Sequence, residues 1–370
     1  MIVVMSDFSY WLALSRSPDI GPVHARRLLA AFGSPENIFR TPAEELRKAA
    51  NIGENRAESI RGFKDWDVIK KEIDHADEND IQLITLHDRA YPAGLKRLAD
   101  APVVLYVKGE IKDDDKYAVS IVGSRRSTSY GFRVAEQMGH DLASAGLTVI
   151  SGMARGIDTA SHRGALKASG RTIAVLGSGM NVPYPPENRT LMDSIASSGA
   201  VISEFPLGTP PNRENFPRRN RIISALAFGV VVVEATVDSG SLITVGYALE
   251  QGKEIFAVPG NITSRNSKGT NDLIKNGARL VESASEIIDE LRPQLKGVLR
   301  EDKLLSGKTL PPMTDEEKLV CGCLNDEPKH IDLIVRETNM STGKALSILL
   351  NLELNGVIIQ AEGKIFSINY

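Results

Sequence analysis

Six short apolar segments, each followed by a polar or glycine-rich segment, constrain the fold of this chain more than any other feature. They occupy residues 118–122, 148–151, 172–176, 200–203, 229–234 and 254–258, and helical segments separate them. Strands that are apolar throughout are typical of parallel sheets, because the helical crossovers between parallel strands cover both faces. The alternation therefore predicts an α/β fold with a mainly parallel, doubly wound sheet.

A short internal repeat marks the residues before this sheet. Gly21 follows Ile20 and Gly53 follows Ile52, and each glycine turn opens a helical segment. Paired helix-hairpin-helix units have this pattern, and their turns let backbone N–H groups at a helix start face a phosphate. A small helical packing module without that role fits the pattern equally well. Residues 81–107 then suggest strands at the edge of the next domain.

The last part of the chain has the element order of a winged helix. Apolar periodicity lapses from 293 to 312, as in a linker, and residues 314–324, 331–338 and 341–355 indicate three helices before a hairpin at 357–368. The third helix carries Lys344 and Glu353 and is neutral, which favours protein interaction at least as much as DNA reading. We therefore predict a helical domain at 1–78, the α/β domain at 79–290, a linker at 291–312 and a winged-helix domain at 313–370.

Composition limits the cellular context and the charge of the sheet domain. The cysteines are Cys321 and Cys323, too few for a disulfide framework, and neither a leader nor a long apolar run is evident. These features predict a cytoplasmic protein without membrane contact. The net charge is −3, but residues 116–285 hold 18 lysines and arginines against 13 aspartates and glutamates. An excess dominated by arginine favours a phosphate-bearing partner.

The first strand of the sheet runs into a turn that carries two arginines. Residues 119–129 read VSIVGSRRSTS, so that Ser124, Arg125 and Arg126 follow Gly123. A dinucleotide site would need a G-x-G-x-x-G turn, which leaves room for pyrophosphate, whereas guanidinium groups would fill that room here. The turn therefore predicts a site for the phosphates of a polymer backbone, with no cofactor.

A second basic segment, FPRRNR at residues 216–221, opens a helix at the same predicted edge of the sheet. The helix dipole and the guanidinium charges would add there. An aromatic ring beside arginines favours a groove that holds unpaired nucleic acid by backbone charge and base stacking. The segment contributes six residues, five of them candidates for this groove: Phe216, Arg218, Arg219, Asn220 and Arg221.

Catalytic and metal-binding interpretations are weaker. Ser151, Asp158 and His162 lie in one segment, but it lacks a G-x-S-x-G elbow, so we expect Asp158 to cap the following helix and His162 to be packed. The histidines are scattered and the cysteine pair has no zinc spacing, which predicts no metal. Glu234 could instead be catalytic, as in sugar-nucleotide hydrolases of similar architecture.

Six motifs in order closely resemble the DprA (Smf) family of DNA-processing proteins. They are VGSRRSTSYG, ISGMARGID, AVLGSGMNVPYPPENR, SEFPLG, FPRRNRIISALA and EATVDSGSLITVGYALEQGKEIFAVPG, within residues 91–282. The resemblance implies an extended Rossmann-like domain between a helix-hairpin-helix (SAM-like) domain and a winged-helix domain. It also implies a homodimer that binds and protects single-stranded DNA and loads the RecA recombinase during natural transformation and recombination, without covalent chemistry.

The resemblance also implies which residues bind DNA. Its phosphate pocket includes Gly123, Ser124, Arg125, Ser151, Gly152, Arg218, Arg219, Asn220 and Arg221, and its fifth turn is lined by Ser239, Gly240 and Ser241. Arg126 and Arg155 either contact DNA or form ion pairs. The alternative function is a nucleotide-acting enzyme of phosphoribohydrolase type, but residues 236–241 read TVDSGS where those enzymes have P-G-G-x-G-T.

Overall fold

The computed structural model describes residues 7–50, 52–295, 313–324, 328–355, 357–361 and 363–368. The chain divides into two compact units, Met1–Leu304 and Leu305–Tyr370. The predicted helical and α/β regions lie together in the first unit, and residues 296–312 of the predicted linker lie outside the described residues. The predicted domain boundaries stay predictions.

A nine-stranded sheet forms the centre of the first unit. Its strands are β1 (Ile81–Thr85), β2 (Val104–Gly109), β3 (Ala118–Val122), β4 (Thr148–Ser151), β5 (Thr172–Val175), β6 (Ala200–Ser203), β7 (Gly229–Val232), β8 (Glu254–Ala257) and β9 (Arg279–Leu280). Their spatial order is β1-β2-β6-β5-β4-β3-β7-β8-β9. Strand β2 is antiparallel to β1 and β6, and all other neighbouring pairs are parallel. The predicted mainly parallel sheet is confirmed.

The strand order reverses beside β3. The chain places β4, β5 and β6 on one side of β3 and then returns to place β7 on the other side, so that Val119 pairs with both Val149 and Gly229. Ligands of open α/β sheets bind beyond the carboxyl ends of the strands at such a switch point. We therefore expect a ligand site among the segments that follow β3 and β7.

Helices cover both faces of the sheet. In the first unit they are α1 (Asp7–Arg16), α2 (Pro22–Phe32), α3 (Pro35–Arg40), α4 (Ala43–Ala50), α5 (Glu54–Arg61), α6 (Trp66–Glu78), α7 (Ala93–Lys96), α8 (Ser129–Ser144), α9 (Ile157–Lys167), α10 (Arg189–Ser198), α11 (Asn215–Ala225), α12 (Ser241–Glu250), α13 (Lys268–Lys275) and α14 (Ala284–Leu291). Val119 and Ile121 of β3 pack in the core that includes α8 and α9, whereas Val122 packs in the core that includes α11 and α12. This alternation explains why β3 is buried along its whole length.

Close helix packing beneath the site depends on glycine. A Cβ on Gly164 of α9 would overlap the carbonyl of Glu136 on α8, and a Cβ on Gly139 would overlap the carbonyl of Ser161. The missing side chains let the two helix backbones approach each other more closely than larger residues would allow. Helices α8 and α9 therefore pack tightly together and support the turns that connect β3 to α8 and β4 to α9.

A buried carboxylate joins the N-terminal helices to the sheet. Glu72 of α6 accepts hydrogen bonds from the Tyr106 hydroxyl and the Leu207 backbone N–H, both at 2.8 Å, and forms an ion pair with Arg16. Helices α2 and α5 begin directly after Gly21 and Gly53, as the repeat predicts. The helical region is thus packed onto the antiparallel edge of the sheet.

The second unit is a winged helix, as predicted. Its elements are α15 (Asp315–Cys323), β10 (Lys329–His330), α16 (Ile331–Thr338), α17 (Thr342–Leu354), β11 (Ile358–Ala361) and β12 (Ile365–Ile368), with sheet order β10-β12-β11. Thr314 caps α15 by accepting the Glu317 N–H at 3.3 Å. Strand β10 was not predicted, because a strand of two residues is too short to show a period.

Candidate nucleic-acid interface

A cleft of about 960 Å³ lies at the carboxyl ends of the parallel strands, at the switch point between β3 and β7. The segments that follow β3, β4, β5, β6, β7 and β8 all contribute to its lining. Ten of the predicted site residues line it: Gly123, Ser124, Arg125, Arg126, Phe216, Arg219, Asn220, Ser239, Gly240 and Ser241. The structure therefore brings together turns that are more than a hundred residues apart in sequence.

An arginine and an aromatic ring meet in the cleft. The guanidinium carbon of Arg125 lies 4.6 Å from the centroid of the Phe216 ring, a cation–π distance. The ring of Tyr184 lies 5.6 Å from that of Phe216, at an interplanar angle of 51°. Arg125 is exposed and forms no salt bridge with any described residue. Its charge is therefore available to a ligand.

Arg219 lies at the floor of the cleft and holds helix α11 in place. Only 3% of it is exposed, and it donates hydrogen bonds to the carbonyls of Gly152, at 2.6 Å, and Val175. Its Nε also donates to Asn220 Oδ1 at 3.1 Å. Burial lowers the pKa of Arg219 to about 10, which leaves the side chain charged at neutral pH. Arg219 thus ties α11 to the ends of β4 and β5.

The turn after β4 differs from the expected helix cap. Gly156, with φ of 75°, occupies the position before α9, and Asp158 Oδ2 accepts the backbone N–H of Ala154 at 3.2 Å. Burial raises the pKa of Asp158, and the nearby charge of Arg219 opposes this rise. Asp158 therefore orders the turn before the helix, and the prediction that it caps α9 is wrong.

His162 is packed, as predicted. It is fully buried, and its Nδ1 lies 2.7 Å from Thr172 Oγ1. Burial lowers the pKa of His162 to about 3, so the imidazole is neutral. The side chain supports the α9–β5 contact and does not line the cleft.

Glu234, which follows β7, holds the arginine turn, the segment of residues 123–128 that follows β3. It is 2% exposed, and its carboxylate accepts the Thr128 N–H at 2.9 Å and the Thr128 hydroxyl at 2.6 Å. Its backbone carbonyl accepts the Ser124 N–H at 2.7 Å. The Glu234 carboxylate, which the sequence left as a catalytic candidate, is therefore hydrogen-bonded to Thr128 and fixes the start of α8.

Five predicted residues lie outside the cleft lining: Ser151, Gly152, Arg155, Arg218 and Arg221. Ser151 is buried and its hydroxyl donates to the Ile121 carbonyl at 2.6 Å. Gly152 lies directly behind Arg219, whose guanidinium occupies the space that a Cβ would need. These two residues position the cleft from below, and the structure does not bring them to its surface.

The three arginines of this group point away from the cleft into contacts with other parts of the protein. Arg155 pairs with Glu187, with Nη2 3.0 Å from Oε2, which is the ion-pair alternative left open for it. Arg221 is buried, 2.6 Å from Glu204 and 3.0 Å from Asp100. Arg218 is half-exposed. Its guanidinium carbon lies 5.2 Å from the centroid of the Phe205 ring, and its Nη2 lies 3.8 Å from Glu204 Oε2.

The cleft lining also includes residues that were not predicted as site residues, among them Tyr184, Arg213, Arg265 and Asn266. Asn266 donates to the Arg126 carbonyl at 3.1 Å and so connects the segment after β8 to the arginine turn. The signal was present in the sequence, because each of these residues follows a predicted strand. Arg265 and Asn266 lie in a polar segment, residues 261–269, that has no run of glycines or arginines to mark it as a site.

Within the described ranges, no three histidine, cysteine, aspartate or glutamate side chains are grouped so that they could hold a metal ion. None of the helices in those ranges is long and apolar enough to cross a membrane.

Comparison with known proteins connects this site to a family. Residues 82–292 match the model of DNA recombination-mediator protein A, residues 306–364 the DprA winged helix domain, and residues 12–61 the SAM-like helix-hairpin-helix tandem. Protein Smf of Synechocystis is 33% identical, with 97% of this chain and 98% of that protein covered. Protein Smf of Escherichia coli is 39% identical, with 76% of each chain covered.

Solved structures of DNA processing protein A are also similar to this chain. The X-ray structure of DNA processing protein A from Streptococcus pneumoniae has a TM-score of 0.67 and 33% identity, over 78% of this chain and 99% of that one. DNA processing protein A from Helicobacter pylori, whose single-stranded DNA binding mode has been studied, has a TM-score of 0.52 and 30% identity, over 58% and 97%. The match extends over the helical region, the sheet that carries the cleft and the winged helix, and the chain belongs to the DprA/Smf family of DNA-processing proteins.

Proposed function

We propose that the cleft binds single-stranded DNA, with arginines on the backbone phosphates and a base stacked on Phe216. The observation that carries this proposal is the pairing of Arg125 with the Phe216 ring at 4.6 Å, inside an open cleft at the switch point of the sheet. Proteins that hold single strands without sequence preference combine a basic groove with an aromatic platform in this way.

The charge of the cleft supports a polyanionic ligand. Its lining contains five arginines and two aspartates, and one of those aspartates is buried beside Arg219. Arg125, Arg126 and Arg213 are exposed and form no salt bridges among the described residues. Such unpaired guanidinium groups can neutralise successive phosphates of a strand.

Backbone groups add to the same site. Helix α12 begins at Ser241, and its first turn lines the cleft together with Ser239 and Gly240. Ser239 Oγ lies 2.7 Å from Ser241 Oγ, which orders this helix start. The positive end of the helix dipole favours a phosphate there.

We further propose that the protein works in the cytoplasm as a homodimer that protects incoming DNA and loads the RecA recombinase during natural transformation and homologous recombination. This part of the proposal rests on membership of the DprA/Smf family and on the single-strand binding of the Helicobacter pylori relative. A strand held by its backbone leaves most base edges free for pairing, which suits a mediator of recombination.

The protein acts in this proposal without catalysis. The alternative phosphoribohydrolase chemistry would need a free carboxylate, and that of Glu234 is engaged by Thr128. Purified protein incubated with nucleoside monophosphates should release no base. Turnover that disappears in Glu234→Gln would contradict this proposal and support the enzyme.

A salt titration of binding to single-stranded and duplex DNA tests the main proposal. We expect tighter binding to the single strand, with a logarithmic affinity that falls linearly with the logarithm of salt concentration, by about 0.7 per phosphate contact. Equal affinity for duplex and single strand, or binding that is insensitive to salt, would contradict it.

A further inference from the structure

A second cavity lies in the first unit, at the other end of helix α11. It has a volume of about 180 Å³, and Leu226, the residue directly after α11, lines it. Phe216, in the first turn of the same helix, lines the cleft. A helix of 11 residues is about 16 Å long, and no residue lines both cavities. The second cavity is therefore separate from the DNA site.

The floor of the second cavity is apolar. Ile173 of β5 and Ile202 of β6 line it, and each is at most 2% exposed. Tyr91 also contributes to the lining, and its hydroxyl donates to the Pro102 carbonyl at 2.7 Å, so its polar atom is satisfied inside the protein. An apolar cavity of about 150 Å³ is large enough to bind benzene. The second cavity therefore has room for one small ring.

The lining also carries an excess of positive charge. Its cations are Arg89, Lys112 and Lys116. Arg89 and Lys116 are exposed and form no salt bridge with any residue in the described ranges, whereas Lys112 lies 3.4 Å from the exposed Glu110. Asp113 is the exposed acidic residue of the lining. Because the cations are exposed and the isoleucines are buried, the charge lies at the opening of the cavity.

Asp115, the other acidic residue of the lining, is neutralised inside the protein. Its carboxylate accepts hydrogen bonds from Nε and Nη2 of Arg171, both at 2.7 Å, and from the Thr148 hydroxyl at 2.8 Å. It also accepts the backbone N–H of Lys112 at 2.7 Å. The Asp115 carboxylate therefore does not oppose an anion at the opening, and its contacts fix the segment that carries two of the cations.

The turn that carries Arg89 is also held in place. Asp88 Oδ2 accepts the backbone N–H of Thr85 at 2.6 Å, and the Asp88 carbonyl accepts that of Tyr91 at 3.2 Å. Sites for small molecules are typically preformed, with apolar walls and a few polar groups that fix the orientation of the ligand. The second cavity has this construction.

We propose that the second cavity binds a small carboxylate with an apolar body. The body packs on Ile173, Ile202 and Leu226. The carboxylate pairs with Arg89, because a guanidinium group can donate two parallel hydrogen bonds to a carboxylate. The cleft has a volume of about 960 Å³ and the second cavity about 180 Å³, so a DNA strand fits the cleft and not the second cavity.

Isothermal titration of the full chain with benzoate tests the proposal. Benzoate should bind about tenfold or more tightly than benzamide, which has the same ring without the charge. Arg89→Ala should weaken benzoate binding by a similar factor and reduce this preference. Arg97→Ala is the matched control, because Arg97 is exposed and lies outside the lining of the second cavity. Absence of benzoate binding, or equal benzoate affinities of wild type and Arg89→Ala, would overturn the proposal.

Two further variants locate the bound benzoate. Ala93→Phe fills the second cavity from its exposed side and should abolish benzoate binding. Arg125→Ala should leave benzoate binding unchanged, because Arg125 lines the cleft. Loss of benzoate binding in Arg125→Ala would place the anion in the cleft and overturn the proposal.

Competition with DNA separates this test from that of the cleft. An excess of single-stranded oligonucleotide should not displace benzoate, and Arg89→Ala should keep wild-type affinity for the single strand. Displacement of benzoate by the oligonucleotide would overturn the proposal. Benzoate binding that persists in a chain without single-strand affinity would contradict only the function proposed for the cleft.

Discussion

Arg125 and Phe216 lie close together although 91 positions separate them in the chain. Arg125 follows β3, and Phe216 lies in the first turn of α11. The aromatic ring holds the guanidinium by a cation–π contact while leaving its N–H groups free for phosphate. A bound base would stack on the same ring or on the guanidinium plane. The two residues therefore belong to one subsite, and each can be tested separately.

Arg125→Ala should weaken binding of homopolymers of every base alike and reduce the salt slope by about 0.7 log units. The physical reason is the loss of one phosphate contact that carries no base information. Arg155→Ala is the matched control, because Arg155 is paired with Glu187 outside the cleft and its removal should leave affinity unchanged. Fluorescence anisotropy at several salt concentrations measures both. A variant that lost affinity for one base only would contradict the prediction.

Phe216→Leu should weaken single-strand binding by about 1–3 kcal/mol while leaving the salt slope intact, because stacking is lost and charge is kept. Tyr130→Leu removes an exposed aromatic ring outside the cleft lining and serves as the control. Isothermal titration with a short oligonucleotide measures the difference. An unchanged affinity in Phe216→Leu would exclude the ring as a stacking platform.

Helix α11 is the element that organises the cleft. It carries Phe216 towards the opening and Arg219 towards the strand ends, where the guanidinium donates to Gly152 and Val175. Asn220 extends the connection by donating to the Gly240 carbonyl, at 3.3 Å, just before α12. The basic segment FPRRNR thus acts partly through contacts inside the protein. Its effect on binding depends on how firmly it is held.

Gly152→Ala should test this hold. A Cβ at this position would overlap the Arg219 guanidinium, so we expect a loss of about 1–3 kcal/mol in the free energy of unfolding and weaker DNA binding. Gly246→Ala in α12 is the control, since nothing lies within 4 Å of its added Cβ. Urea denaturation compares the two. Equal stability of both variants would show that α11 does not depend on this contact.

At the scale of the whole molecule, burial decides the charge of a side chain that has no charged partner. His162 illustrates this, because burial lowers its pKa from 6.5 to about 3. Between these two values the unfolded chain binds a proton at His162 that the folded chain does not. Its neutral imidazole thus contributes stability that is fully present above pH 6.5 and is lost as the pH falls.

His162→Gln should remove this pH dependence. Relative to the variant, the wild type should lose stability by about 1.4 kcal/mol per pH unit below pH 6.5, levelling off near pH 3. Above pH 7 the difference between the two proteins should be constant. Chemical denaturation curves recorded between pH 5 and 8, at steps of about half a pH unit, measure this difference. A difference that stayed constant down to pH 5 would contradict the prediction.

Deletion of residues 314–370 should leave most single-strand affinity intact, because every cleft residue lies in the first unit. Binding of the shortened and full chains to the same single-stranded oligonucleotide measures the effect. A collapse of single-strand affinity would mean that the winged helix itself holds DNA.

Much of the fold follows from sequence because its signals are local. Six apolar segments matched strands, with ends within two residues, and the glycine turns at 21 and 53 marked helix starts correctly. Parallel strands bring their carboxyl ends to one edge, so the motifs after them were expected to converge. Ten predicted site residues do line the cleft for this reason.

What the sequence by itself determined was therefore the sheet, the edge that carries the site and the basic character of that edge. Only the tertiary structure decided the role of each arginine. Arg218, Arg219 and Arg221 lie in one helical turn, where successive residues point in directions about 100° apart. Arg218 therefore lies over Phe205, Arg219 is buried at the floor of the cleft and Arg221 is paired with Glu204. A side chain's direction depends on packing partners distant in sequence, and those partners are brought together only by folding.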